Sequence, residues 1–436
     1  MKKTIPIVIG TYYNAYSVIR GFGEKGIKSI LVTCGERCFV QKSKYIETIW
    51  ITRNVNESES GFIEDLIKYG KEISPNKGMF FPTHDEQLLA ISKFKAILEP
   101  YFEIPFSDYS ILKEIMDKDS FSETCKRLGI PTIRDYKIRN YDEAKTALEE
   151  FGVPILVKVN QWDIRIIKGF GSKIAVFEDP DKYLSAISHF FDAVPDGELL
   201  VQEYISDSER LMPNVNSFTD REGNMQCVFV SEKLRQYPPQ RGTSTATYSM
   251  NPEDPQYSDI IEYSRKICKH FRFYGLFGIE YKFDPKDGLY KIIEMNCRSE
   301  FPNYLQTLVG QNMAYEIYNY HLGEKVTIPF YPLVKSASCY VPVLDKFYVT
   351  KSNKYNYPKF TMTRGEWRKS IIKPSTMYGL TVRDYRSFVS AQMEALKKTM
   401  VILFRAKFLI PENISTKEFV MRKLPILGSD RFRNNR

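Results

Sequence analysis

The sequence predicts an α/β domain followed by an α+β unit, with a basic carboxyl-terminal extension, and three observations carry that expectation. Apolar runs alternate with helix-period stretches over about the first hundred residues, the mark of a parallel sheet. After Pro131 strands and helices come in mixed order and end in a hairpin between Phe277 and Met295. From Tyr331 to Arg436 there are 21 Lys and Arg against 7 Asp and Glu, a balance of +14, which leaves 41 against 46, or −5, for the first 330 residues. At about 100 to 200 residues per domain the 436 residues allow roughly two to four domains. A composition 43% hydrophobic and 26% charged excludes a collagen, a coiled coil and a wholly disordered chain.

The first domain, 1–105, opens with the buried strand Ile5 to Ile9, a helix over Ala15 to Lys25 and a second strand over Ser29 to Thr33. Gly78 to Pro82 repeats the strand pattern, and Glu86 to Leu98 reads as the next helix. No GxGxxG follows a strand, so the domain is assigned no dinucleotide. Ligands of such sheets sit beyond the carboxyl ends of strands, here Gly10-Thr11 and Thr83-His84-Asp85-Glu86. The competing reading is that Thr83 and Asp85 only cap a helix.

A helix over Ser110 to Leu128, stopped by Gly129-Ile130-Pro131, opens the second domain, 106–195. A helix over Tyr141 to Phe151, strands over Pro154 to Asn160 and Lys173 to Phe177, and a helix over Asp181 to Phe191 follow. The third domain, 196–330, holds strands over Leu199 to Ile205 and Met225 to Arg235, a helix near Gln256 to Phe271, the hairpin, and a helix near Met313 to Leu322.

The hairpin carries the chemistry. Phe277 to Phe283 and Leu289 to Met295 alternate in the strand manner around Asp284-Pro285-Lys286-Asp287-Gly288. With Phe283 opposite Leu289, Glu280 faces Ile292 and Gly278 faces Glu294, so the two glutamates are diagonal neighbours, Cβ atoms roughly 7 to 8 Å apart. Asn296 and Arg298 continue on that face. Two carboxylates on one face repel unless a cation lies between them, and Mg²⁺ suits the set because it takes few protein oxygens and shares the rest with nucleotide phosphates. An ordinary solvated hairpin face is the alternative. Upstream, Lys158 ends the apolar strand Ile155-Leu156-Val157, where a lysine is costly without an anion or an adenine edge. The loop Lys168-Gly169-Phe170-Gly171-Ser172-Lys173 is able to bring backbone N–H groups to phosphate oxygens.

Taken in order, Asp117-Lys118, Gly129-Ile130-Pro131, Pro154 to Lys158, the glycine loop, Val201-Gln202-Glu203-Tyr204-Ile205, Gly278-Ile279-Glu280 and Glu294-Met295-Asn296-Cys297-Arg298 resemble the ATP-grasp superfamily over about residues 1–325. Lys233 to Pro239 and the hairpin look most like carboxylate–amine ligases of the D-aspartate ligase kind. The resemblance implies a Rossmann-like pre-ATP-grasp domain before a two-subdomain ATP-grasp fold. It assigns phosphates and adenine of ATP to Lys118 and Lys158, phosphate contacts to Gly169, Gly171 and Ser172, and the adenine hinge to Gln202, Glu203, Tyr204 and Ile205. It gives the ribose to Glu209, with Asp207 as second choice, Mg²⁺ to Glu280, Glu294 and Asn296, and the acyl phosphate to Arg298. Arg235 and Arg241 are candidates for a substrate carboxylate or phosphate. Cys297 stands where the family often has proline, and Val159-Asn160 follows Lys158 where many members have proline.

The implied activity is an ATP-dependent carboxylate–amine ligase that adds an amino acid to a cell-envelope precursor. A non-catalytic nucleotide sensor or scaffold on the same fold is the alternative. A nucleic-acid binder led by the extension, 331–436, is a further rival, but its aromatics (Phe347, Tyr348, Tyr355, Tyr357, Phe360, Trp367) build no recognised module, so no nucleic acid is expected. Met393 to Ile410 reads as an apolar and basic helix, able to lie on an anionic membrane surface or to pack on the body or on a second copy in a homo-oligomer. Seven cysteines without a CxxC pair and four histidines offer no zinc spacing and read as free thiols. With no long apolar span, the expected location is the cytoplasm, with a peripheral place at the inner face of the membrane as the variant.

Overall fold

Ile5, Ile7, Val8 and Ile9 are all buried in β1 (Thr4–Ile9), as a central strand covered on both faces requires. With β2 (Ser29–Thr33), β3 (Ile46–Ile51), β4 (Lys77–Pro82) and β5 (Phe102–Glu103) it forms a parallel sheet of order β3-β2-β1-β4-β5. This sheet belongs to a computed structural model that describes residues 3–408, apart from 160–173, 206–211, 238–242, 301–302, 335, 342–344, 346–362 and 378. The described residues divide into two compact units, Met1–Arg134 with Ile205–Ala391, and Asp135–Tyr204 with Gln392–Arg436.

In the larger unit, helices Tyr12–Gly23, Glu59–Ile73 and Asp85–Lys93 accompany the parallel sheet. Two expected helices are each interrupted. Glu86 to Leu98 resolves into Asp85–Lys93 and Lys95–Leu98. Ser110 to Leu128 resolves into Tyr109–Met116 and Lys118–Arg127, because Asp117 leaves the helical backbone and its side chain accepts from the Ser120 N–H at 2.9 Å, capping the second helix.

The smaller unit contains an antiparallel sheet of β6 (Asp135–Ile138), β7 (Ile155–Val159), β8 (Ile174–Phe177) and β9 (Leu199–Glu203), ordered β6-β9-β7-β8. Helices Tyr141–Phe151 and Pro180–Ala193 close its core through Ala144, Ala147, Tyr183, Ile187 and Phe190.

The larger unit also holds a seven-stranded sheet. Its strands are β10 (Pro213–Thr219), β11 (Phe229–Tyr237), β12 (Thr243–Met250), β13 (Gly275–Asp284), β14 (Leu289–Asn296), β15 (Ser338–Tyr340) and β16 (Ser375–Thr376), in the order β14-β13-β10-β11-β12-β15-β16. The strand expected over Met225 to Arg235 thus starts four residues later. β15 and β16 come from the basic extension and finish one edge. Val215, Phe277 and Ile279 of this sheet share a core with Ile5, Ile7 and Ile9 of the parallel sheet, which seats β13 and β14 against the first domain. Six of the seven cysteines are buried and all seven are free thiols. Among the described residues no helix is long and apolar enough to cross a membrane.

Candidate functional site

The hairpin register differs from the expected one in a way that tightens the site. Asp284 pairs with Leu289, one step off the expected pairing, and a bulge between Glu280 and Tyr281 leaves Ile293 without an opposite residue. Beyond the bulge Glu280 lies directly opposite Glu294, and Gly278 opposite Asn296. The glutamates are therefore partners across the ladder and not diagonal neighbours. β10 adds a third strand, with Asn214 opposite Glu280 and Asn216 opposite Gly278. Two rows result on one sheet face, Asn214, Glu280, Glu294 and Asn216, Gly278, Asn296.

Each charge in these rows has an internal partner. Lys233 of β11 donates to Glu280 Oε2 at 2.9 Å. Burial works against the Lys233 charge, but Glu280, with Glu300 and Glu294 beyond it, holds the ammonium above the usual lysine range. Asn296 Nδ2 donates to Glu300 Oε1 at 2.8 Å and to Glu294 Oε1 at 3.4 Å, and its Oδ1 accepts from Arg298 Nη2 at 3.1 Å. Arg298 is gripped in turn by Asp85, Nε to Oδ1 at 2.7 Å and Nη2 to Oδ2 at 3.1 Å. Asp85 thus does more than start a helix, whose cap residue is His84. The Thr83 hydroxyl donates to the Ile9 carbonyl at 2.9 Å, and Gly10 is obligatory because a Cβ there would meet Thr83 Oγ1 at 1.9 Å.

Glu300 is the acid that the sequence reading passed over. Its side chain is buried, and its carboxyl is pushed up to about 7, first by burial and then by Glu280. The signal was present, since Glu294, Asn296, Arg298 and Glu300 follow at every second residue. A small cleft beside Arg298 and Glu300 is lined by Ser17, Asn216, Arg298, Ser299, Glu300 and Asn303, among others.

Of the nucleotide-binding candidates, Lys118 is exposed at the first turn of helix Lys118–Arg127 in the larger unit. In the smaller unit Lys158 lies opposite Leu200, two residues from Gln202, and Lys158 Nζ donates to Gln202 Oε1 at 2.7 Å. Glu203 ends β9 and is buried, Tyr204 is half-buried, and Ile205 is buried in the larger unit. Gly169, Gly171, Ser172, Asp207, Glu209 and Arg241 lie outside the described residues. Arg235 is committed elsewhere. It pairs with Asp345 through Nε to Oδ1 at 2.8 Å and Nη2 to Oδ2 at 2.6 Å, and its Nη1 donates to Ser370 Oγ at 2.9 Å. Asp345 also accepts from Thr245 Oγ1 and Trp367 Nε1 at 2.8 Å each. A substrate anion at Arg235 has to displace or share that carboxylate.

The hairpin residues fit a hard divalent cation. Glu280 and Glu294 oppose one another, the Asn296 amide lies beside Glu294 with its nitrogen toward the carboxylate and its oxygen on Arg298, and a lysine ammonium already sits against one carboxylate as a cation would. Among the described residues no group of three or more His, Cys, Asp or Glu is arranged to hold a metal alone.

Residues 117–325 match the family described as carbamoyl-phosphate synthase L chain, ATP binding domain. Over 329 residues the chain is 24% identical to the D-aspartate ligase of Enterococcus faecium, covering 72% of this chain and 75% of that one. It is 22% identical over 363 residues to the carbamoyl phosphate synthase large chain of Saccharolobus islandicus, covering 80% of this chain but only 32% of that relative. The fold is similar to that of a biotin carboxylase–beta-gamma-ATP complex from Campylobacter jejuni, with a TM-score of 0.58 and 19% identity, over 76% of this chain and 74% of that one.

Proposed function

We propose, from the premise that the chain carries an ATP-grasp domain over residues 117–325, that it is an ATP-dependent carboxylate–amine ligase working through an acyl phosphate. The observation that carries this reading is the pairing of Glu280 with Glu294 beside Asn296 and the clamped Arg298. A sensor has no need of a complete charge set for phosphoryl transfer. A substrate carboxylate oxygen attacks the γ-phosphorus of ATP, the bond to the β-phosphate oxygen breaks, and ADP leaves. The amine nitrogen then attacks the acyl carbon and loses a proton, and phosphate departs. Mg²⁺ held by Glu280, Glu294 and Asn296 supplies neutralisation of the phosphoryl charge when bound. Arg298, its fork oriented by Asp85, offers N–H groups to the acyl phosphate oxygens. Lys118, Lys158 and the residues Gln202, Glu203, Tyr204 and Ile205 are each assigned the phosphate and adenine roles that the resemblance implies.

The match to a protein named D-aspartate ligase supports an amino acid as one substrate. The acceptor we assign is a phosphate-bearing cell-envelope precursor, reached by a cytoplasmic enzyme resting on the inner face of the membrane. The support is the +14 balance after residue 330 and the exposed Tyr385, Val389, Met393 and Leu396 along helix Tyr385–Phe408. Vesicle flotation is expected to show binding to anionic and not to neutral lipid, and equal binding to both counts against it.

The central test is phosphate release by the purified chain with ATP, Mg²⁺ and amino acids of both hands, with and without an envelope precursor. Release that depends on both substrates is expected. ATP binding without release for any pair would favour the sensor. Glu294→Ala is expected to abolish release, since losing a metal carboxylate costs several kcal/mol of transition-state stabilisation, with circular dichroism unchanged. Undiminished release by that variant would refute the assignment.

A further inference from the structure

Gly278 has no side chain, and the space above it is filled by the Glu300 carboxylate. A Cβ on Gly278 would come within 1.6 Å of Glu300 Oε2 and 2.4 Å of Asn216 Nδ2. Glu300 therefore reaches back over the strand pair and sits between Asn216 on β10 and Asn296 on β14, both of which lie opposite Gly278. Asn214 and Asn216 hold its Oε2 from one side at 2.8 and 2.5 Å, and Asn296 Nδ2 meets its Oε1 from the other at 2.8 Å.

We infer that Glu300 is a positioning residue for the cation site, fixing the Asn296 amide with its nitrogen on Glu300 and its oxygen on the Arg298 side, where that oxygen keeps a second lone pair for the cation. This rests on the reading of Glu280, Glu294 and Asn296 as metal ligands. An asparagine ligates a hard cation only through its oxygen. Turned over, the Asn296 amide would put its oxygen against the carboxylates of Glu294 and Glu300 and its nitrogen against Arg298, three repulsive contacts in place of three hydrogen bonds. Glu294 alone holds the amide weakly at 3.4 Å, and Glu300 provides the close contact. Groups that orient a ligand in this way typically matter by about 10- to 100-fold in metal affinity.

The arrangement around Glu300 also indicates which substitution it tolerates. Among the described residues the Oδ1 atoms of Asn214 and Asn216 are buried without a hydrogen-bond partner. In Glu300→Gln, Oε1 still accepts from Asn296, while Asn214 and Asn216 turn over and their oxygens accept from the new amide nitrogen. In Glu300→Ala nothing replaces the acceptor. Gly278→Ala offers an independent route, pushing the carboxylate aside without altering any proposed ligand.

The experiment is Mn²⁺ binding in the presence of ADP, followed by the electron paramagnetic resonance of free Mn²⁺, on the full chain with thermal melts as a fold control. Glu300→Ala and Gly278→Ala are expected to weaken Mn²⁺ by about 10- to 100-fold, and Glu300→Gln to stay within about threefold. Should Glu300→Ala fail to fold, Gly278→Ala and Glu300→Gln carry the comparison. Wild-type affinity in Glu300→Ala or in a folded Gly278→Ala, with Glu294→Ala impaired, overturns the role of Glu300. So does a Glu300→Gln variant as weak as Glu300→Ala. Wild-type affinity in Glu294→Ala would instead overturn the underlying assignment of the metal ligands.

Discussion

Asp85 is the residue whose removal separates an oriented Arg298 from one that is merely present. It stands at the carboxyl end of β4 and grips the guanidinium through two bonds of 2.7 and 3.1 Å. Charge-assisted bonds of this kind contribute about 1.5 to 3 kcal/mol when shielded, whereas exposed ion pairs contribute about 0.2 to 1 kcal/mol. The Arg298 side chain is 18% exposed and that of Asp85 44%, so the pair lies between these limits. A value of about 1 to 2 kcal/mol is therefore reasonable for Asp85→Ala, and at about 1.4 kcal/mol per tenfold it corresponds to a five- to thirtyfold loss of kcat. Because Arg298 is assigned to the acyl phosphate and not to the nucleotide, KM for ATP is expected to stay within about twofold. Asp85→Asn keeps one acceptor for Nε and should fall between the variant and the wild type. The assay is phosphate release at saturating ATP with the substrate pair found by screening. A folded Asp85→Ala with wild-type kcat would show that the clamp has no part in the chemistry.

Two further substitutions test the packing around the site. Arg235→Ala strands Asp345, fully buried, without its cation, and breaking such a pair costs about 3 to 5 kcal/mol. Thermal melts should show a large fall that Arg235→Met with Asp345→Asn partly restores, and a stability unchanged in the single variant would contradict the buried pairing. The Glu232 carboxyl is held above the usual range by burial, against the hydrogen bond that the Tyr257 hydroxyl donates to it at 2.8 Å. A carboxyl raised in the folded state binds its proton more tightly there, so stability falls as pH rises from the unfolded value of about 4.3 through the raised folded one. Melts between pH 4 and 8 should show Glu232→Gln gaining on the wild type as pH rises, and a pH-independent difference would refute the assignment.

The parallel strands were legible because Ile5 to Ile9, Ile30 to Val32 and Gly78 to Pro82 are apolar throughout, as doubly covered strands must be. β10 was not, because Pro-Asn-Val-Asn-Ser-Phe-Thr has the composition of a loop, yet all seven residues are buried. Its two asparagines are at home there because Glu300 takes their donors. The break at Asp117 was hidden because apolar residues keep helical phase on both sides of it, while its own side chain prefers to cap. The face shared by Glu280, Glu294, Asn296 and Arg298 was legible from alternation alone. Its register was not, since a single bulge between Glu280 and Tyr281 moves Glu294 from diagonal to directly opposite, and nothing in composition marks a bulge. Arg235 read as a substrate group because its partner, Asp345, lies 110 residues further along the chain.

The partners that sequence reading missed explain how an acidic face folds at all. Glu280 and Glu294 directly opposite one another are destabilising as a bare pair, and Glu300 adds a third carboxylate. The fold meets each differently: an ammonium from β11 on Glu280, one amide nitrogen shared between Glu294 and Glu300, and two more amides from β10 on Glu300. Only the first is an ion pair. Amides orient carboxylates without cancelling their charge, so negative potential remains on the Glu294 side of the face, and burial followed by the charge of Glu280 raises Glu300. A divalent cation entering there meets carboxylates that Lys233 and Arg298 balance only in part, and Lys233, with about a fifth of its side chain exposed, is the ammonium in contact with Glu280. The face is thus held together by its own partners and still retains charge that draws a cation.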